Sequence, residues 1–326
     1  MKRVIAFTLC ALMVMFVLAG CGGVTPAVAA DEQLRVTLII PMPRNEIWGP
    51  ASDGFEDACK ALGIDPTVLV PGREHDPNEM NALVETAIAE KVDALITVCY
   101  NPEAQDIGFR KLDDAGIPFV LINSDSVNSN RLAFLGTGLS IGTIGGKAIS
   151  DSMIGKPIHS VSALFTLTTP YFNDMKEKYL EELRKHPDGF TETVLLETGM
   201  TPITTLQAWT DALMTYPEIN AGFNIGGFGG FCAARAIREL NRDPSEFCII
   251  GMDDMAETMD AIRNGYLFGT LTQNFYRMGY EPVGWLQNFI LEGKRPENVV
   301  NDSGTMLVTK ENIETYKTDM RNPSAW

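Results

Sequence analysis

Apolar runs in this chain end repeatedly in amides, carboxylates and aromatic rings. Asn45 and Trp48 follow the run 35–41, Tyr100 and Asn101 follow 94–98, and Asn123, Ser124 and Asp125 follow 119–122. In the second half Tyr171, Phe172 and Asn173 come after 159–164, Asp253 and Asp254 after 249–252, and Gln273 and Asn274 after 269–272. Apolar runs of this length separated by helical segments read as parallel strands, and open α/β sheets bind ligands beyond the carboxyl ends of such strands. Rings can cover the C–H faces of a polyhydroxylated molecule, while Asn, Gln and Asp satisfy its hydroxyls once water is removed. Taken singly, each of these residues is also a candidate helix cap or loop residue, and for Asn101 and Asp254 the two readings weigh the same.

Other motifs carry less. Gly138-Leu139-Ser140-Ile141-Gly142 matches the G-x-S-x-G turn of a hydrolase nucleophile. That triad runs Ser, then Asp or Glu, then His. The only histidines are His75, His159 and His186, with none from Pro187 to Trp326. An esterase using Ser140 is thus the weaker reading, and a serine capping a helix the stronger one. Gly136-x-Gly138 and the glycines of 226–230 do not complete G-x-G-x-x-G. Gly145-Gly146-Lys147 has Ile141 where a P-loop needs its first glycine and Ala148 where it needs Ser or Thr. Scattered histidines and the absence of any Cys-x-x-Cys supply no metal constellation. No catalytic residue, metal or cofactor is expected.

The elements that must position the ligand candidates follow from periodicity. Strands are expected at 35–41, 65–70, 94–98, 119–123, 132–136, 159–164, 194–197, 222–225, 247–251, 269–272 and 305–308, with amphipathic helices between nearly all of them. One helix start has an explicit logic: Asp76 caps, Pro77 needs no partner in the first turn, and Glu79 completes a capping box. Met80, Leu83, Val84, Ala87 and Ile88 then share one face. Eleven strands are too many for one small doubly wound sheet and do not suit an eight-fold barrel. The expected fold is α/β, with two Rossmann-like lobes built on parallel sheets.

The chain of 326 residues is long enough for about two domains at ~150 residues each. Lys2 and Arg3 precede an uncharged apolar run from Val4 to Ala19, the pattern of a secretory signal. Leu18-Ala19-Gly20-Cys21 resembles a bacterial lipobox, in which the cysteine is lipidated; Ala27-Val28-Ala29 is the competing cleavage site. Residues 21–33 read as a tether. The formal net charge of −16 becomes −18 without residues 1–20. Such acidity disfavours nucleic acid and anionic membrane surfaces as partners. Cys59, Cys99, Cys232 and Cys248 lie in apolar stretches and read as buried thiols.

Together these residues resemble the ribose-type (type 1) periplasmic sugar-binding proteins, the substrate-binding lipoproteins of ABC transporters. The resemblance is carried by Asn45-x-x-Trp48-x-x-x-x-Asp53-Gly54-Phe55, Gly116-Ile117-Pro118, Gly145-Gly146-Lys147, Ile250-Gly251-Met252-Asp253, Leu271-Thr272-Gln273 and the closing Asp302-x-Gly304-x-x-Leu307-Val308-Thr309-Lys310-Glu311-Asn312, in that order. It implies two lobes joined by three hinge crossings near 136–138, 273 and 301–304. One lobe would comprise 34–137 plus 274–302 and the other 138–273 plus 303–326. It implies a lipid-anchored monomer outside the cytoplasm that delivers a small ligand to an ABC permease rather than an enzyme. Ligand contacts map onto Asn45, Trp48, Asn123, Asn173, Asp253 and Gln273; Tyr100, Ser124 and Tyr171 join them on position alone. Many sugar binders carry Asp-Arg where this chain has Asn123-Ser124, an arginine at Asn173 and an asparagine at Gly226. Losing a two-sided charged grip weakens an ordinary aldose, which points to a modified sugar, a polyol or a furanosyl quorum signal. A ligand-dependent receptor for a sensor kinase or chemoreceptor is the alternative with the same fold.

Overall fold

The expected alternation of strands and helices is present in the computed structural model of the chain, which describes residues 33–138 and 140–316. The signal-like segment, Cys21 and tether residues 21–32 lie outside the described residues, as do 317–326. The first half contains β1 (Arg35–Ile39), α1 (Trp48–Leu62), β2 (Asp65–Leu69), α2 (Pro77–Ala89), β3 (Ala94–Thr97), α3 (Pro102–Ala115), β4 (Phe119–Ile122), β5 (Ala133–Gly136) and α4 (Ser140–Ser152). The second contains β6 (Ile158–Leu164), α5 (Pro170–Leu183), β7 (Phe190–Glu197), α6 (Pro202–Thr215), β8 (Ala221–Ile225), α7 (Gly229–Glu239), β9 (Cys248–Met252), α8 (Ala256–Arg263), β10 (Gly269–Gln273), α9 (Phe275–Glu292), β11 (Val300–Asp302) and β12 (Thr305–Thr309).

Two six-stranded sheets form, in the orders β11-β5-β4-β3-β1-β2 and β12-β10-β9-β8-β6-β7. With β6–β10 standing for β1–β5, the orders are identical. All neighbours run parallel except β12, which pairs antiparallel with β10 and departs from the all-parallel expectation. Its direction follows from the chain path: β11 ends at Asp302 in one sheet, and β12 begins at Thr305 in the other. The sheet cores are apolar on nearly every residue; β3, β4, β5, β8, β9 and β10 are buried throughout.

Each fifth strand sends its helix to the other sheet. After β5, α4 packs against α5, and after β10, α9 packs against α1. Both contacts are made by glycines that let two backbones approach. A Cβ on Gly142 would lie 2.1 Å from the Met175 carbonyl oxygen, and one on Gly279 would lie 1.9 Å from that of Ala51. The chain segments between the sheets are tied together: Ser303 N–H donates to the Gly136 carbonyl at 2.7 Å, and Thr305 Oγ1 donates to that of Thr272 at 2.7 Å.

The α2 start differs from a full capping box. Asp76 Oδ1 accepts from the Asn78 and Glu79 amides at 2.9 and 3.1 Å. Glu79, however, turns to Arg73, accepting from its amide at 2.8 Å and from Nε at 2.7 Å. The guanidinium outcompetes the lone amide because a charge-assisted bond is stronger. The four cysteines between 59 and 248 are free and buried, and burial pushes the Cys59, Cys232 and Cys248 thiols up to about 12.

The α1–α9 contact makes a direct prediction. Gly279→Ala must separate two backbones and is expected to lose ~1–3 kcal/mol in urea unfolding. Gly284→Ala, on the same helix with nothing within 4 Å of the new methyl, is expected to be neutral or slightly stabilising. Equal stability for both variants would contradict the close packing.

Candidate ligand-binding site

The carboxyl ends of both sets of strands face a common cavity of about 70 Å³. At ~30 Å³ per water in the liquid this is room for about two waters. It opens beside β1/β3 and β6/β8, where the strand order reverses and α/β folds leave a crevice.

Two residues hold equivalent places. Asn123 follows β4 and Asp253 follows β9, and both are left-handed, with φ of 62° and 67°. Asn and Asp are among the few side chains that tolerate this region. Each keeps its backbone in the ladder: Asn123 N–H donates to Leu135 and Asp253 N–H to Leu271, on the equivalent strands β5 and β10, at 3.0 and 2.9 Å. Their side chains are joined by Gln273, the last residue of β10. Asn123 Nδ2 donates to Gln273 Oε1 at 3.1 Å, and Gln273 Nε2 donates to Asp253 Oδ1 at 2.7 Å. Tyr100 extends the chain, its hydroxyl donating to Asn123 Oδ1 at 3.0 Å. Tyr100 is itself placed by Gln105, whose Oε1 accepts from the Tyr100 and Asn101 amides at 2.9 and 3.0 Å while Nε2 donates to the Val98 carbonyl at 3.0 Å.

Around this polar chain the lining is apolar. Met42, Ile47 and Trp48 come from the β1–α1 segment, and Phe275 packs edge-on to Trp48 at 5.2 Å. Phe165 and Phe172 follow β6, Met200 follows β7, and Gly227 and Phe228 follow β8. Gly227 is needed for space: a Cβ there would stand 2.6 Å from Ile47 Cδ1 and 3.0 Å from Asp253 Oδ2. His75, after β2, lies between Tyr100 and Phe165 at ring distances of 5.2 and 6.0 Å.

Trp48, Tyr100, Asn123, Asp253 and Gln273 therefore line the cavity, as does Phe172. The other candidates do not. Asn45 Oδ1 accepts from the Ile47 and Trp48 amides at 3.0 and 2.8 Å and so shapes the entry to α1. Ser124 is buried and donates to the Cys99 carbonyl at 2.6 Å. Asn173 Nδ2 donates to the carbonyls of Leu167 and Thr169 at 2.8 and 3.1 Å. Tyr171 packs edge-on against Phe134 at 5.5 Å. Asn101 caps α3 through the Ala104 amide at 3.1 Å. A search for amides, carboxylates and rings just past strand ends missed Met42, Ile47, His75, Phe165, Thr198, Met200, Thr205, Asn224, Phe228 and Phe275. Met42, Phe165 and Met200 obey the same positional rule, since each lies just past a strand.

Ser140 donates its hydroxyl to the Thr137 carbonyl at 2.7 Å, so it hydrogen-bonds the preceding backbone instead of accepting as a cap. His186 is engaged elsewhere, with Ser150 Oγ at 3.0 Å and the Lys156 carbonyl at 2.9 Å. Among the described residues no cluster of His, Cys, Asp or Glu could hold a metal ion, and no helix is long and apolar enough to cross a membrane.

Burial sets the charge state of the site. It pushes Asp253 up to about 7, an effect opposed by the Gln273 N–H and reinforced by Asp254. It lowers His75 to about 4, so its imidazole is neutral near pH 7. A carboxyl with a raised folded pKa binds more protons folded than unfolded across the interval between the two values. The contribution of Asp253 to stability therefore falls as pH rises from about 4 to about 7, while that of His75, with its lowered value, rises over most of the same interval. The expected result is that Asp253→Asn, which keeps the Gln273 contact, gains melting temperature relative to the wild type as pH rises across that interval. An identical slope in both proteins would contradict the raised value.

Known proteins supply independent comparisons. A family model described as "Periplasmic binding protein domain" matches residues 36–295. The chain is 24% identical over 297 residues to the D-apiose import binding protein of Paraburkholderia graminis, covering 85% of this chain and 88% of that one. It is 22% identical over 242 residues to the ABC transporter periplasmic-binding protein YphF of Escherichia coli, covering 72% and 73%. Among solved structures, a glucose-galactose binding protein from Geobacillus stearothermophilus superposes with a TM-score of 0.81 at 22% identity, covering 86% of this chain and 99% of that one. With the match spanning most of the chain and the fold shared, this protein belongs to the periplasmic binding protein family.

Proposed function

We propose that this protein is an extracytoplasmic receptor that captures a small, neutral, sugar-like ligand between its two sheets and delivers it to an ABC importer. The observation that carries this reading is the hydrogen-bonded chain Tyr100–Asn123–Gln273–Asp253, which joins strand ends of both sheets across the cavity. A ligand held by that chain touches both lobes, so it binds the closed arrangement better and shifts the population toward it. The hinge is formed by the three segments after β5, β10 and β11. Relatives named for D-apiose import and for xylose and arabinose support the sugar class. The protein acts by binding and release rather than covalent chemistry, in keeping with the engaged Ser140 hydroxyl. In this reading residues 1–20 are removed, Cys21 carries the lipid anchor, and the mature monomer works at the outer face of the membrane.

A thermal-shift screen of pentoses, hexoses, polyols, nucleosides and furanosyl signals tests the reading. A true ligand at 100 times its Kd is expected to stabilise the protein by ~2.7 kcal/mol. Asn123→Ala and Asp253→Ala are expected to weaken that ligand about tenfold or more, whereas Asn173→Ala leaves affinity unchanged. X-ray scattering should show compaction at saturation. Wild-type affinity in both Asn123→Ala and Asp253→Ala would remove the assigned pocket.

A further inference from the structure

The polar chain and most of the apolar lining of the cavity come from different strands, and the sheet order separates the two groups. In the first sheet the strands run β4-β3-β1-β2, and in the second β10-β9-β8-β6-β7. Every member of the polar chain follows or ends β3, β4, β9 or β10. The residues following β1, β2, β6, β7 and β8 include Met42, Ile47, Phe165, Met200 and Phe228.

The hydrogen-bonding capacity left for a ligand is divided the same way. At the polar end Asp253 Oδ2 makes no bond among the described residues, while Asn123 Nδ2 and Gln273 Nε2 each keep a second N–H. At the other end the polar side chains are mostly committed to the protein. Asn224 Oδ1 accepts from Trp209 Nε1 at 2.8 Å, and its Nδ2 donates to the Gly226 carbonyl at 3.3 Å. Thr198 and Thr205 donate to the Leu164 and Thr198 carbonyls at 3.3 and 3.5 Å. The exception is His75, whose Nδ1 is buried without a partner. Among the described residues no Lys or Arg lines the cavity.

Resting on the sugar-receptor reading above, we propose that the ligand is an uncharged amphipathic sugar derivative. Adjacent hydroxyls meet Asn123, Gln273 and Asp253, and a deoxygenated or O-methylated end lies against Met200, Met42 and Phe228. Away from His75 Nδ1, a hydroxyl carried into that apolar end would lose its water and gain no side-chain partner. That is a penalty of about tenfold in affinity for each such group. A carboxylate or phosphate would find no cation and would face Asp253.

Calorimetric titration with matched pairs tests this: L-rhamnose against L-mannose, L-fucose against L-galactose, and methyl glycosides against the free sugars. In at least one pair the deoxy or O-methyl member is expected to bind tenfold or more tightly than its fully hydroxylated partner. Met200→Gln and Phe228→Gln, both in half-buried loop positions, are expected to shrink that ratio without changing the fold by circular dichroism. Parents that bind as tightly as their derivatives, or binding confined to unmodified sugars, would overturn the proposal and leave the receptor reading standing. A ratio untouched by both variants would likewise overturn the placement of the apolar end. Failure of every sugar tested, unmodified pentoses and hexoses included, would overturn both readings.

Discussion

The connection between Asn123 and Asp253 through Gln273 is the constraint on which the site depends. Both outer residues sit in the left-handed region at the end of a buried strand while their amides stay in the sheet. That geometry turns each side chain off the strand line and over the sheet's edge. Gln273 is the last residue of β10 before the chain passes to α9. The residue that joins the two polar side chains therefore lies where the backbone changes sheets, and any change in the angle between the sheets changes the length of this chain of bonds.

The electrostatics follow from the same contact. Asp253 is buried and lacks a cation, so its carboxylate depends on hydrogen-bond donors alone. Gln273 supplies one, and Oδ2 is left for another. In the proposed site a hydroxyl donated to Oδ2 would stabilise the charged form, so ionisation of Asp253 and binding would favour each other. An arginine-paired acid, by contrast, is charged before any ligand arrives.

How well the sequence revealed each part depended on what the backbone asked of each residue. Strands buried on both faces announce themselves by continuous apolarity, and these were readable. β11 was not, because it is three residues long and lies at a sheet edge with Val300 exposed. The first half of β7 was hidden for the same reason, as Thr191 and Glu192 face water. Within the site, Asn123 and Asp253 were legible because each directly follows four or five apolar residues of a strand. Asn45 and Asn173 failed the same test, since both lie at helix starts where free amides and carbonyls claim the side chain. The apolar lining was invisible for the opposite reason: Met42 and Phe165 look like one more core residue at the end of a strand, and only the curvature of the fold turns them into a wall.

The likeness of the two sheets makes their differences informative. Equivalent strand ends carry Asn123 in one and Asp253 in the other. The next residue in the first sheet, Ser124, points inward to the Cys99 carbonyl. Among the described residues lining the cavity the one acid, Asp253, belongs to the second sheet, and the first contributes neutral donors and a broad apolar surface of Met42, Ile47 and Trp48. Charged recognition in this arrangement is one-sided, and shape and dispersion must supply the other side. Relatives at 22–24% identity can share this framework of strands and crossings because it is set by buried apolar residues. Their ligands can still differ, because specificity rests on a few side chains just beyond those strands, where the fold asks only for a turn.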